Sequence, residues 1–354
     1  MIKYYTRACN FYYGHQANQL IKKKQALPLC GNRGIAFNTL EVFKRKNKKI
    51  SKKFLHLKEI QKVNINEKKK IISDLRKITS RRKNFLKNVD FNTPSIMGIL
   101  TLTPDSFSDG GEFNKKKKSF KHISDMIKFG AKIIDVGGES TRPGSKTIDP
   151  KVEWKRVQSV LKVFKKKYKN VCLSIDTRKS SVMINSIKYG ADLLNDVSGF
   201  NFDKDSLIKL KRYKVSKVLH HMQGSPNTMQ INPKYNNVLL DIYDYFENKI
   251  KTDFGDKKII LDPGIGFGKT LKHNLTLISN ISLFHSLGLP IMIGTSRKRF
   301  INEISINNDS KERIGGTLAS IIHLLSQGVQ IFRVHNVNEI NQGILVFNKI
   351  LFNK

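Results

Sequence analysis

The sequence predicts an α/β protein: a (β/α)8 barrel with a small appended region at its amino end. Three observations carry that prediction. From Ser95 onward, eight short apolar runs alternate with amphipathic helical stretches. The stretch that holds them is about 260 residues long, the size of eight β/α units. A doubly wound open sheet, the competing arrangement, should open its first helix with GxGxxG, and none stands there.

Residues 1–92 read differently, as a basic extension of unassigned role, with the barrel expected over 93–354. Tyr4, Tyr5, Phe11, Tyr12 and Tyr13 form β-prone aromatic clusters. Phe37 to Phe43 suits a strand or a short helix, and Lys52 to Lys87 a lysine-laden helical arm. The barrel strands follow at Ile96–Leu102, Lys132–Val136, Val171–Ile175, Asp192–Leu194, Val218–Met222, Ile259–Leu261, Pro290–Ile293 and Val329–Val334. Helical patterns lie between them. One covers Ser119–Phe129, and one covers Val152–Phe164 with Val152, Val157, Val160, Leu161 and Phe164 inward. Others cover Val238–Ile250 and Leu318–Leu325.

Charge narrows the partners. The chain carries 65 Lys+Arg against 28 Asp+Glu, a formal net charge of +37. Such an excess raises nucleic acid or an anionic membrane as a partner. Residues 1–90 hold 24 basic and 5 acidic side chains, and in the remainder the lysines fall mainly on outer helix faces. With no recognisable nucleic-acid module, a solvated basic surface is the expectation, and no nucleic acid. No apolar run approaches the ~18 residues of a membrane span. Cys9, Cys30 and Cys172 are widely spaced and lack a CxxC, which fits a reducing compartment. A cytoplasmic protein is expected, although the basic, acid-poor start leaves an organellar transit sequence open.

In a barrel the carboxyl ends of all strands meet on one face. The first run ends in Thr101 and a polar loop, Asp105 to Gly111. The second brings Asp135, Glu139 and Thr141-Arg142-Pro143-Gly144. The third and fourth end in Asp176 and Asn195-Asp196, and the fifth in His220, His221 and Gln223. Asp262 with a glycine loop up to Lys269, then Ser296-Arg297-Lys298, then Arg333 and His335 complete the ring. Each has a structural alternative. A strand-end Asp often caps a helix, Arg142-Pro143-Gly144 suits a turn, and His335 suits a structural histidine. His220-His221 suggests a metal pair, but adjacent strand residues face opposite ways, so at most one enters the mouth. Eight polar strand ends together are more than stability needs. Asp176, Asn195 and Asp262 suit an amidine-like heterocycle edge, while Arg142, Lys298, Arg333 and His335 suit phosphate oxygens. The residues therefore point to transfer chemistry on a heterocycle with a phosphorylated leaving group.

In these segments the chain resembles dihydropteroate synthase. They are SIMGILTLTPDSFSDGG (95–111), IIDVGGESTRPGS (133–145), SIDTRKS (174–180), LLNDVSG (193–199), HMQGSPNTM (221–229), LDPGIGFGKT (261–270), GTSRKRF (294–300) and FRVHNV (332–337). The resemblance implies a barrel enzyme of folate biosynthesis. It would condense 6-hydroxymethyl-7,8-dihydropterin diphosphate with 4-aminobenzoate to give 7,8-dihydropteroate and diphosphate. It implies a pterin site at Asp176, Asn195, Asp262 and Lys298, and diphosphate at Arg333 and His335. Thr141 and Arg142 would close over the site. Phe107 and Pro143 would help form the aminobenzoate slot, Asp109 of the first loop would bind substrate, and the helix after Ser296 would face the carboxylate. Mg2+ as cofactor and a homodimer are implied too. Two positions depart from the family: Thr101 stands where it has a Mg2+-ligating Asn, and Arg299 where many members have Ser.

Overall fold

The computed structural model describes residues 2–103, 112–142, 144–254, 258–306 and 309–352. Its amino end is an antiparallel sheet of β1 (Ile2–Tyr13), β2 (Leu27–Leu29), β3 (Asn32–Lys46) and β4 (Lys49–His56). β1 pairs with one edge of β3, from Ile2↔Lys46 to Tyr13↔Ile35. β2 and β4 share the other edge. Phe37 to Phe43 is thus strand, the largely buried middle of β3. The lysine-laden stretch from Lys52 is not one helical arm. It begins in β4, an edge strand whose Lys49, Lys52 and Lys53 stay in water while its backbone pairs with β3. Helix α1 (Gly14–Lys22) follows β1, and α2 (Ile65–Thr79) follows β4, opened by an Asn64 cap that accepts from the Glu67 amide.

The next eight strands lie parallel: β5 (Ser95–Thr101), β6 (Ala131–Gly137), β7 (Cys172–Asp176), β8 (Leu193–Asp196), β9 (Ser216–His220), β10 (Ile259–Asp262), β11 (Met292–Ile293) and β12 (Ile331–Val334). They run in order β10-β9-β8-β7-β6-β5-β12-β11, and a bridge between Leu261 and Ile291 closes the ring. Around them stand α3 (Glu112–Lys128), α4 (Pro150–Lys167), α5 (Ser180–Lys188), α6 (Ser206–Leu210), α7 (Val238–Thr252), α8 (Leu271–Ser279), α9 (Arg299–Ser305), α10 (Ile314–Ser326) and α11 (Val337–Leu351). α4 buries Glu153, Val157, Val160, Leu161 and Phe164, whereas Val152 is exposed. The stripe starts one residue later than expected because Glu153 turns inward to pair with Lys179. Among the described residues no helix is long and apolar enough to cross a membrane.

The sheet and the linker after it both pack on the barrel. Tyr5 meets Tyr243 of α7 edge-on, with ring centres 5.2 Å apart, and Ser282 Oγ donates to Ala8 O. Lys3 and Arg45 pair with Asp241, Asp244 and Glu247 along α7. Beyond α2, Leu86, Val89 and Phe91 plug the amino-terminal end of the barrel. They meet a layer made of one side chain per strand: Met97, Ile133, Cys172, Leu193, Val218, Ile260, Met292 and Ile331.

Candidate active site

That apolar layer decides what lies above it. Side chains two residues apart on a strand face the same way. Counting up from the plug, the next inward layer holds Asp135, Ser174, Asn195, His220, Asp262 and Arg333. Above it come Thr101, Asp176 and His335. The register agrees, since Thr101, Gly137, Asp176 and Asn195 lie side by side across β5 to β8. Hydrophobic at the bottom and polar at the carboxyl end, the barrel interior becomes a site by alternation alone.

Its centre is Arg333. Nε donates to Asp135 Oδ2 and Nη2 to Asp176 Oδ2, both at 2.7 Å. Asn195 Nδ2 donates to the same Asp135 oxygen at 2.9 Å. Asp135 Oδ1, Asp176 Oδ1, Asn195 Oδ1 and Ser174 Oγ are buried without a protein partner. Buried acceptors of this kind are costly unless something donates to them. Burial, reinforced by Asp135 and opposed by Arg333, pushes Asp176 up to about 7. Asp262 is pushed by burial up to about 6, against the Gly264 amide it accepts and the charge of Lys298.

Lys298, the residue before α9, comes to the same space with Nζ 4.0 Å from the centre of the Phe267 ring. Burial, aided by Arg333, lowers it to about 8. Phe267 rides on the loop after β10, which needs glycine: Gly264 has φ +70°, and a Cβ there would lie 2.0 Å from His221 O. His335 is neutral, lowered to about 3 by burial and by the cations Arg297, Arg333, Lys298 and Arg142. Its backbone N–H donates to Ser296 Oγ, which lies 3.0 Å from its Nδ1. That contact occupies Nδ1 and leaves Nε2 as the free ring nitrogen. Of the two adjacent histidines, His220 faces inward and binds Val197 O, while His221 lies on Lys269 behind the loop. They form no metal pair.

The loop after β6 is pinned from below. Glu139 accepts from Arg178 Nη2 and from Lys179 Nζ, both at 2.8 Å, and from the Ile148 amide, while Lys179 reaches Glu153. Thr141 is half-buried and Arg142 exposed on this loop, and the Gly144 amide donates to Pro226 O. Arg142 adds to the positive field at Lys298 and His335. Phe107, Asp109 and Pro143 lie outside the described residues.

A family model described as pterin binding enzyme matches residues 97–335. Dihydropteroate synthase of Escherichia coli strain K12 is 39% identical over 268 residues, covering 75% of this chain and 94% of the relative. The chain belongs to the dihydropteroate synthase family. A crystal structure of the Yersinia pestis dihydropteroate synthase with a sulfonamide drug complex superposes with TM-score 0.69 at 36% identity, over 74% of this chain and 96% of that one. The Xanthomonas albilineans dihydropteroate synthase in complex with 7,8-dihydropteroate gives 0.66 at 28% identity, over 74% and 95%.

Within this dihydropteroate synthase barrel, the interior brings Asp176, Asn195, Asp262, Lys298, Arg333 and His335 to one mouth. Three residues at it had no assigned role from sequence: Asp135, Phe267 and Lys269. Asp135 could have been found by counting two residues up from Ile133, which faces inward. As for Mg2+, the described residues form no cluster of three acidic, His or Cys side chains. Thr101 offers one neutral oxygen at the tip of β5, and Asp176 is already bonded to Arg333.

Proposed function

We propose that this chain condenses 6-hydroxymethyl-7,8-dihydropterin diphosphate with 4-aminobenzoate to 7,8-dihydropteroate and diphosphate. The observation that carries the reading is the wall of unpartnered buried acceptors beside two cations. Asp176 Oδ1 and Asn195 Oδ1 lack partners, and a pterin presents N–H donors along its amidine edge. Asp262 and Lys298 complete that subsite. Arg333 and His335 take the diphosphate, with Thr141 and Arg142 closing from the loop after β6. Phe107 and Pro143 are assigned to the aminobenzoate slot, and Asp109 to substrate binding.

The chemistry follows from the charges. The methylene–oxygen bond breaks and diphosphate leaves with the electron pair, its charge met by Arg333 and Lys298. The dihydropterin ring spreads the positive charge left on the methylene, with Asp176 nearby. The aniline nitrogen then forms the new C–N bond and sheds its proton. Mg2+ belongs with the diphosphate as part of the substrate, and Thr101 is the protein oxygen assigned nearest to it. Catalysis is assigned to 93–354 and a buttressing role to 1–92, in a cytoplasmic homodimer. The family supports the catalytic span, the compartment and the dimer, and the packing of Tyr5 on Tyr243 supports the buttress.

The test is direct. Incubated with the pterin diphosphate, 4-aminobenzoate and Mg2+, the protein should form dihydropteroate. Pterin binding without product would instead mark a non-catalytic pterin-binding protein or a pterin-dependent methyltransferase relative. Thr101→Asn should keep or raise activity and tighten Mg2+ dependence; a large loss would give Thr101 another role.

A further inference from the structure

Lys269 is buried directly behind the glycine loop. Its Nζ donates to Phe267 O at 2.8 Å and lies 3.1 Å from His221 Nδ1 and 3.4 Å from His221 O. It is 3% exposed and makes no ion pair among the described residues. A buried lysine with no carboxylate in contact opposes folding, and burial lowers its amine to about 7; a Met would fill similar space without that cost. Packing alone therefore gives no reason for a lysine.

Its two anchors supply one. Phe267 and His221 belong to different segments, the loop after β10 and the end of β9. The Phe267 ring forms part of the wall at Lys298 and stands edge-on to the His220 ring, with centres 4.7 Å apart. Tying the Phe267 carbonyl to His221 fixes that ring. The charge also reaches Asp262, where Lys298, Arg333 and Lys269 together oppose the upward push of burial. The titratable groups around the clamp are His220 and His221 at the end of β9, Tyr235 and Tyr245 against the His221 ring, Asp262 on β10, Lys272 and His273 on α8, Lys298 before α9, and Arg333 on β12. Burial holds both β9 histidines neutral, and Lys269 adds to that effect, so His221 Nδ1 can accept from the ammonium.

We infer that Lys269 is a positioning residue for the pterin subsite: from behind the loop it ties Phe267 to the end of β9. This rests on the assignment of Asp262 and Lys298 to the pterin.

Calorimetric titration with 6-hydroxymethyl-7,8-dihydropterin diphosphate from about pH 5 to about pH 8 tests it. In the wild type, affinity should fall as pH drops through about 7 and then about 6, where first Asp176 and then Asp262 take up their protons. Lys269→Gln keeps a donor for Phe267 but loses the charge. Its acid limb should move up in pH, with affinity at neutral pH lower by about three- to tenfold. Lys269→Met loses the clamp as well and should bind more weakly still, whereas Lys269→Arg should keep the wild-type limb. A purely structural lysine would lower the melting temperature without moving the limb. Folded Gln and Met variants with wild-type affinity and limb overturn the inference, as does an Arg variant that behaves like Gln. If Met prevents folding, Gln decides. Asp262→Ala separates the two assignments: unchanged affinity there removes the pterin reading of the site, while a loss there beside unaffected Lys269 variants removes the role of Lys269 alone.

Discussion

Asn195 Nδ2 donates to Asp135 Oδ2 at 2.9 Å, and that contact sets which way the amide presents itself. An ionised carboxylate can only accept, so the amide must turn its nitrogen toward Asp135 and keep Oδ1 as the free group. The same Asp135 oxygen holds Arg333 Nε. One carboxylate with no exposure thus orients an acceptor and a cation at once.

Asp135→Asn should therefore lower kcat/KM by about 10- to 100-fold, the range for losing a hydrogen bond to a charged group. Arg333 keeps Asp176, so the fold should survive, and Asp135→Glu should not restore activity. Steady-state kinetics on folded variants checks this; a rate close to wild type in Asp135→Asn would remove Asp135 from the machinery.

The buried carboxyl of Asp262 predicts a trade between stability and binding. Its folded value of about 6 exceeds its ordinary value of 3.8. In that window the unfolded chain releases the proton first, so stability falls as pH rises from about 4 through about 6. Asp262→Asn mimics the neutral acid. It should raise the melting temperature more at pH 8 than at pH 5 while weakening pterin binding. Thermal melts at both pH values check it, and an equal or negative change at pH 8 would refute it.

Much of the barrel was legible because its strands are buried on both faces, and such strands read as short continuous apolar runs ended by polar residues. The ends of those runs then listed Asp176, Asn195, Asp262 and Arg333 in chain order. The amino-terminal sheet was harder to read. β3 is buried along most of its length, which hides the alternation, and β4 carries Lys52 and Lys53 at an edge where they cost nothing. Contacts between distant segments were invisible as well. Nothing near Lys269 in sequence announces His221, and nothing near Asp135 announces that Arg333 and Asn195 share one of its oxygens.

The pinned loop after β6 gives a prediction about acid. Burial works against the charge of Glu139, yet Lys179 and Arg178 prevail and hold it below the usual carboxylate range. Its contribution is present above its ordinary value of 4.5 and is lost as pH falls through the lower folded one. Glu139→Gln leaves Arg178 short of a partner and should cost about 3–5 kcal/mol. Denaturant titration near neutral pH measures that loss, and a variant as stable as wild type would rule out the pin.

The sheet of residues 2–56 should act as a buttress on the barrel wall. Tyr5 has no exposed surface, belongs to the same apolar cluster as the barrel–helix layer, and donates its hydroxyl to Asp244 at 2.9 Å. Tyr5→Ala opens a cavity against Tyr243 and should cost about 3–5 kcal/mol, the range for deleting a buried ring. If sheet and barrel unfold together, the whole transition moves down, and activity at low temperature is kept because Tyr5 lies outside the mouth. Calorimetry with activity assays distinguishes the outcomes. A separate early transition, with the barrel melting at its wild-type temperature, would show that the sheet is attached without supporting the barrel.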